Sequence, residues 1–260
     1  MTAPDHRDDD LTRNAFLGGR LEIQQPRRGY RAGIDPVLLA ASVPARPGQS
    51  VLDLGCGVGV AALCLGARVT RVSLTGLELQ PDYADLARRN AAENGIALEV
   101  LTGNIADMPR PLRARQFDHV IANPPYFDRK AGSRAAEPGR ETALGEATPL
   151  AEWVKQAARR CAPGGYVTII QRAERLPELF SAATAHLGSL ELLPLIPRAG
   201  RAARLVILRA RKGGRAAFRL HSGRVLHAGE AHDGDRENYT TATACVLRRG
   251  HALPFPSDTG

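Results

Sequence analysis

Asn123-Pro124-Pro125-Tyr126 closes the apolar run Phe117-Asp118-His119-Val120-Ile121-Ala122 and carries residue types suited to handling a planar amino nitrogen. A proline pair excludes both helix and central strand, so the backbone there is extended and stiff. The Asn123 side-chain oxygen and the Pro124 carbonyl then become fixed acceptors suited to one NH2 group. Tyr126 offers a flat face on which a planar substrate can stack. Upstream, Asp53-Leu54-Gly55-Cys56-Gly57-Val58-Gly59 places an acid before glycines spaced G-x-G-x-G. Such glycines let the chain turn tightly and approach a ligand closely. An acid at position 53 repels the pyrophosphate that a G-x-G-x-x-G loop would hold, and suits a cationic ligand bearing an ammonium group. Glu78 ends Leu74-Thr75-Gly76-Leu77-Glu78, where a carboxylate can accept from both hydroxyls of a ribose or simply face solvent at a strand end.

These groups need elements that bring them to one place. Strands are predicted at 51–54, 71–78, 98–101, 117–122 and 165–171, and helices at 60–67, 81–94, 149–161 and 176–187, with Gly95 stopping the second helix. Alternation of this kind implies an α/β fold, a parallel sheet with helices on both faces. In an open sheet of that type ligands bind beyond the carboxyl ends of the strands, where the strand order reverses. The segments 190–196, 204–210 and 216–220 read as strands and 237–249 as a closing helix. Before the core, Asp35-Pro36 has the form of an N-cap and first helical residue, opening a lead-in helix within 13–49. Residues 1–12 carry little that can be buried and are expected to be disordered. No repeat or linker interrupts the chain, which reads as a single domain over 1–260: lead-in, core at 50–210, and an extension at 211–260.

The 260 residues, with 26 Gly and 18 Pro, are ordinary for a globular α/β protein large enough to bury its own core. No apolar run is long enough to span a membrane. The polar, acidic first ten residues are unlike a signal peptide. The four cysteines, Cys56, Cys64, Cys161 and Cys245, form no C-x-x-C pair and no zinc spacing. A reduced, cytoplasmic protein without a structural metal is expected. Lys and Arg exceed Asp and Glu by 35 to 27, a net charge of +8 carried mostly by arginine. That excess fits a phosphate-backbone partner, and it also fits a GC-rich coding sequence. The basic stretch Arg129-Lys130 through Arg140 either grips a nucleic acid or is a solvated loop. His119, inside a strand, reads as packed.

Together these motifs resemble class I S-adenosylmethionine-dependent methyltransferases, with the match running from about Ser50 to Gln171. More narrowly they resemble the group whose Asn-Pro-Pro-Tyr motif methylates exocyclic or amide nitrogens. The resemblance implies a Rossmann-like, seven-stranded, mostly parallel sheet with an antiparallel strand near its C-terminal end. It implies that Asp53, Gly55, Cys56, Gly57, Gly59, Glu78, Leu79, Asn104, Ile105 and Asn123 hold S-adenosylmethionine, and that Asn123, Pro124, Pro125 and Tyr126 form the catalytic loop. Asn104 stands where the family carries an acid that reads the adenine amino group, and an amide oxygen still accepts that bond. The lead-in Gly29-Tyr30-Arg31-Ala32-Gly33-Ile34-Asp35-Pro36, Phe127 and the ending Glu237-Asn238-Tyr239-Thr240 resemble bacterial tRNA(Val) adenine-N6 methyltransferases. That implies tRNA as partner, direct in-line transfer to adenosine N6 without a metal, and substrate contacts from Tyr30, Arg31, Phe127, Arg129 and Lys130. A protein glutamine-N5 methyltransferase acting on release factors, an rRNA guanine-N2 methyltransferase, and a non-catalytic RNA-binding relative are the competing readings.

Overall fold

The computed structural model describes residues 10–126, 148–229 and 238–256. Its frame is a twisted sheet whose central strands are β3 (Ser50–Leu54), β4 (Ser73–Glu78), β5 (Leu98–Thr102), β6 (Phe117–Ala122) and β7 (Cys161–Arg172), all mutually parallel. From β3 the chain steps outward to β4 and β5, then crosses back to place β6 on the other side of β3. That reversal opens a crevice at the carboxyl ends of β3 and β6. Beyond β7 lie β9 (Leu205–Arg211), antiparallel to both its neighbours, and β8 (Gly188–Ile196). Two short strands, β10 (Arg219–Leu220) and β11 (Arg224–Val225), pair with the far side of β8. Among the described residues the sheet therefore has nine strands where the resemblance implies seven. β10 falls at the end of the segment 216–220 that reads as a strand, and β11, two half-buried residues, is too short to carry an apolar signal.

Strand periodicity decides which face each residue serves. Val51, Ile121, Ile170, Leu193 and Ile207 face one apolar layer, shared with α1 (Asp35–Ser42), α2 (Val60–Arg68), α3 (Pro81–Glu93) and α7 (Thr241–Arg249). Their neighbours Leu52, Val120, Ile169, Leu192, Val206 and Leu208 face the other, shared with α4 (Arg110–Arg113), α5 (Leu150–Arg160) and α6 (Leu176–Thr184). The central strands thus feed two cores, and helices cover both faces.

The N-terminal segment departs from expectation. Strand β1 (Leu11–Phe16) pairs antiparallel with β2 (Leu21–Pro26), so Leu11 and Thr12 are ordered strand rather than a disordered end, and a hairpin precedes the lead-in helix. Leu11, Leu17, Leu21 and Ile23 seat it on the core, and long-range amide bonds fix its position. Asn90, fully buried on α3, accepts the Gln24 N–H at 2.8 Å and donates to the Gln24 carbonyl at 3.1 Å and to the Val58 carbonyl at 3.0 Å. Asn94 repeats the two-way pairing with Glu22. The Arg20 guanidinium donates to the Ala67 and Arg249 carbonyls, tying the C-terminal ends of α2 and α7 together. Helix α1 also differs in detail: Ile34 is its cap residue and Asp35 its first helical residue, with no side-chain cap bond.

Candidate active site

The glycine loop is shaped by backbone conformation. Gly55, Gly57 and Gly59 all have positive φ, which L side chains rarely adopt. The N–H groups of Gly55 and Cys56 both donate to the Leu77 carbonyl, and the Gly57 N–H donates to Glu78 Oε2 at 2.9 Å. The loop after β3 is thereby clasped to the end of β4. A Cβ at position 55 would stand 2.5 Å from the Trp153 ring. Gly55→Ala is therefore expected to lower stability by about 1–3 kcal/mol through strain and overpacking, and to weaken ligand binding at the loop. Calorimetric unfolding and ligand titration on the same variant would test both, and wild-type values in each would refute the assignment.

Across the loop lies a cleft of about 1110 Å³, counting its solvent-open part. It brings together Asp53, Gly55, Cys56, Gly57, Glu78, Leu79, Asn104 and Ile105 from the first group of expected residues, and Asn123, Pro124, Pro125, Tyr126 and Tyr30 from the second. Gly59 does not line it; a Cβ there would contact Ala87, Leu98 and Leu63, so this glycine closes the turn against α3 and β5. Arg31 is exposed, with its guanidinium donating to Asn14 Oδ1 at 3.0 Å, and is not among the lining residues. Phe127, Arg129, Lys130 and Glu237 lie outside the described residues.

Two buried acids dominate the electrostatics. Asp53 is 3% exposed, accepts the Ala62 N–H from the first turn of α2, and keeps Oδ2 buried without a partner among the described residues. Burial pushes its carboxyl up to about 7, the Ala62 bond opposes this, and the nearby Glu78 charge adds to it. Burial also raises the Glu78 carboxyl, against N–H donors from Gln80, Gly57 and Leu79. The pair creates a strongly cation-seeking pocket. Next to it Leu79 is 49% exposed inside the cleft, and Ile105 is buried, giving apolar surfaces for a flat ring. Asn104 is exposed, and its Oδ1 accepts the Ala106 N–H at 2.8 Å.

The catalytic-loop candidates are braced from outside. Asn123 Nδ2 donates to the Tyr30 hydroxyl at 3.4 Å, and Asn123 Oδ1 is buried without a partner among the described residues. Gln171 Nε2 stands 3.5 Å from the Pro124 carbonyl, at the outer limit of a hydrogen bond, and Arg175 donates to the Pro125 carbonyl at 3.1 Å. The Tyr126 hydroxyl donates to Asp35 Oδ2, and the Arg172 guanidinium lies over the Tyr126 ring, 5.5 Å from its centre. His119 is packed: 2% exposed, stacked on Tyr166, with Nε2 3.1 Å from Gln49 Oε1.

Sequence reasoning missed Trp153, Tyr83 and Asp35. Trp153 and Tyr83 line the cleft from amphipathic helices, where an aromatic residue reads as core. Asp35 looked like a helix cap. An acid with no cap bond to make is the one signal that could have found it, and only its surroundings reveal that.

Comparisons with known proteins give the chain a family and a fold. The family described as "Methyltransferase small domain" matches residues 32–193. A tRNA1(Val) (adenine(37)-N6)-methyltransferase of Porphyromonas gingivalis is 33% identical over 187 residues, 68% of this chain and 72% of that protein. One from Actinobacillus succinogenes is 30% identical over 200 residues, 75% of this chain and 82% of its own length. Among solved structures, a predicted O-methyltransferase from Agrobacterium tumefaciens superposes with a TM-score of 0.68 at 25% identity, covering 86% of this chain and 100% of that one. A Thermus thermophilus 16S rRNA N2 G1207 methyltransferase, solved with AdoMet and guanosine, shares the fold at a TM-score of 0.54 and 19% identity, over 78% of this chain and 50% of the other.

Proposed function

Because the chain belongs to the methyltransferase small domain family, we propose that it transfers a methyl group from S-adenosylmethionine to the exocyclic N6 of an adenosine in tRNA. The observation that carries this is the buried Oδ1 of Asn123, without a partner among the described residues, on a loop whose Asn123 and Pro124 line the same cleft as Asp53 and Glu78. The names of the relatives support the choice of tRNA adenine over a glutamine amide or a guanine.

The residues fit the cofactor. The orphaned Asp53 oxygen suits its ammonium group, Glu78 its ribose hydroxyls, and Leu79 with Ile105 the faces of its adenine. When bound, the cofactor would supply an activated methyl group on a sulfonium cation. Orientation is then the main task left to the chain, worth up to several kcal/mol.

An adenine amino nitrogen is a poor nucleophile because its lone pair is delocalised into the ring. Acceptors at Asn123 Oδ1 and Pro124 O favour the pyramidal, cationic nitrogen over the planar neutral one, so their bonds strengthen as the new bond forms. Neither oxygen is basic enough to keep the surplus proton, which passes to water. Arg172 occupies one face of Tyr126, leaving the other for the base, turned out of its RNA stack. Arginines outside the cleft would meet the RNA backbone.

The test is methyl transfer from labelled S-adenosylmethionine to unmodified tRNA, with release factor and ribosomal RNA in parallel, followed by nucleoside analysis. N6-methyladenosine in tRNA is expected. Label confined to release factor or to guanine would overturn the substrate assignment.

A further inference from the structure

Both functional ends of the Asn123–Tyr126 loop are gripped by one short stretch of chain that precedes the sheet. Tyr30 sits on the Asn123 amide, and Asp35, five residues on, sits on the Tyr126 hydroxyl. Tyr30 is itself fixed: its N–H donates to the Tyr83 hydroxyl at 3.1 Å, and that hydroxyl donates back to the Tyr30 carbonyl at 3.3 Å. Asp35 is fixed by its place in the first turn of α1, the rest of which is buried from Pro36 to Ser42.

We propose that Tyr30 and Asp35 are positioning residues for methyl transfer, a clamp that sets the Asn123 amide and the Tyr126 ring from outside the signature loop. The carboxamide of Asn123 can rotate end over end. With the Tyr30 hydroxyl taking a hydrogen bond from Nδ2, Oδ1 is the atom left for the substrate. An oxygen-donor exchange there would present an N–H to an incoming NH2 group and repel it. Tyr126 has the matching problem, since a ring held only by its own backbone can swing about its side-chain bonds. The Asp35 bond pins its far end, and Arg172 backs one face. Asp35 stands in the first turn of α1, and its carboxylate reaches out of that helix to the Tyr126 hydroxyl on the loop. The proposal refines the methyltransferase reading above and rests on it for its kinetic readout.

The experiment compares Tyr30→Phe, Tyr126→Phe, Asp35→Ala, Asp35→Asn and the double variant Asp35→Ala/Tyr126→Phe with wild type. It reads kcat and KM on the methylated substrate, cofactor affinity, thermal stability, and hydrogen exchange of the peptide spanning residues 117–126. Tyr30→Phe, which removes a single oxygen, is expected to lower kcat about 10- to 100-fold, as misplaced groups do, with cofactor affinity near normal. Asp35→Ala and Tyr126→Phe are expected to lower kcat by similar factors. Their double variant should be no worse than the poorer single, because both delete one contact. Asp35→Asn, which keeps an acceptor for the phenol, should recover much of the loss. Exchange in the 117–126 peptide should quicken in Asp35→Ala. Multiplying losses in the double variant, wild-type kcat in Tyr30→Phe, or unchanged exchange would overturn the clamp. A wild-type enzyme inert on tRNA would overturn the substrate reading instead, and the exchange measurement would still decide the clamp. Should Asp35→Ala fail to fold, Tyr126→Phe and Tyr30→Phe carry the test alone.

Discussion

Asn123→Ala is expected to lower turnover about 100- to 1000-fold while leaving cofactor affinity within a few-fold of wild type. The size follows from the loss of one preorganised acceptor that acts on charge developing in the transition state, an effect of roughly 3–4 kcal/mol where it has been measured on comparable donors. The selectivity follows from the structure. The cation-seeking part of the cleft is built by Asp53, Glu78 and the loop that Glu78 clasps, and the Asn123 amide makes its hydrogen bond to Tyr30. Steady-state kinetics on tRNA, with calorimetric titration of S-adenosylmethionine, separates the two effects. A kcat within threefold of wild type would falsify the role given to Oδ1, and a collapse of cofactor affinity would move Asn123 into the cofactor site.

The second large effect concerns pH. The Asp53 carboxyl of the ligand-free protein titrates at about 7, against an ordinary 3.8. Between about pH 4 and 7 the unfolded chain is ionised at this residue while the folded chain keeps the proton. The folded state therefore binds the extra proton, and this residue's contribution to stability falls as pH rises through that window and levels off above about 7. Glu78, also raised by burial, acts in the same direction. A cationic ligand reverses the balance by favouring the ionised carboxylate. The rise in Tm produced by S-adenosylmethionine should consequently be larger at pH 7.5 than at pH 6. Asp53→Asn should flatten that dependence, melt higher than wild type at pH 7.5 without ligand, and bind the cofactor about 10- to 100-fold more weakly, the size of one lost charge-assisted bond. Equal ligand-induced shifts at the two pH values in wild type would remove Asp53 from the cofactor site.

The parts of the fold that were legible in the sequence are those whose signals are local. Strands β3 and β6 are short apolar runs ended by a glycine turn or a proline pair, and they fall within a residue of where the pattern puts them. The hairpin of β1 and β2 was not legible, because its few apolar residues, Leu11, Leu17, Leu21 and Ile23, are scattered among polar ones, and the core and the Asn90 and Asn94 amides that receive them come much later in the sequence. In the cleft, Asp53, Glu78 and Asn123 were found because motif and spacing expose them. Trp153 was not, since its helix shows the same amphipathic pattern whether its aromatic ring meets a core or a glycine loop. Asp35 was read for its nearest neighbour in sequence, Pro36, when its partner is on a different element.

Asn90 has one further consequence. By donating to the Val58 carbonyl while gripping Gln24 on both sides, it holds the bend after β3 in its working shape before any ligand arrives. Ordering a flexible backbone consumes about 1–2 kcal/mol of entropy per residue, which a ligand would otherwise have to offset from its own contacts. With the loop already frozen by a buried amide, that expense falls on folding and not on binding. Affinity for the cofactor then draws on the stability of the N-terminal hairpin, none of whose residues lines the cleft.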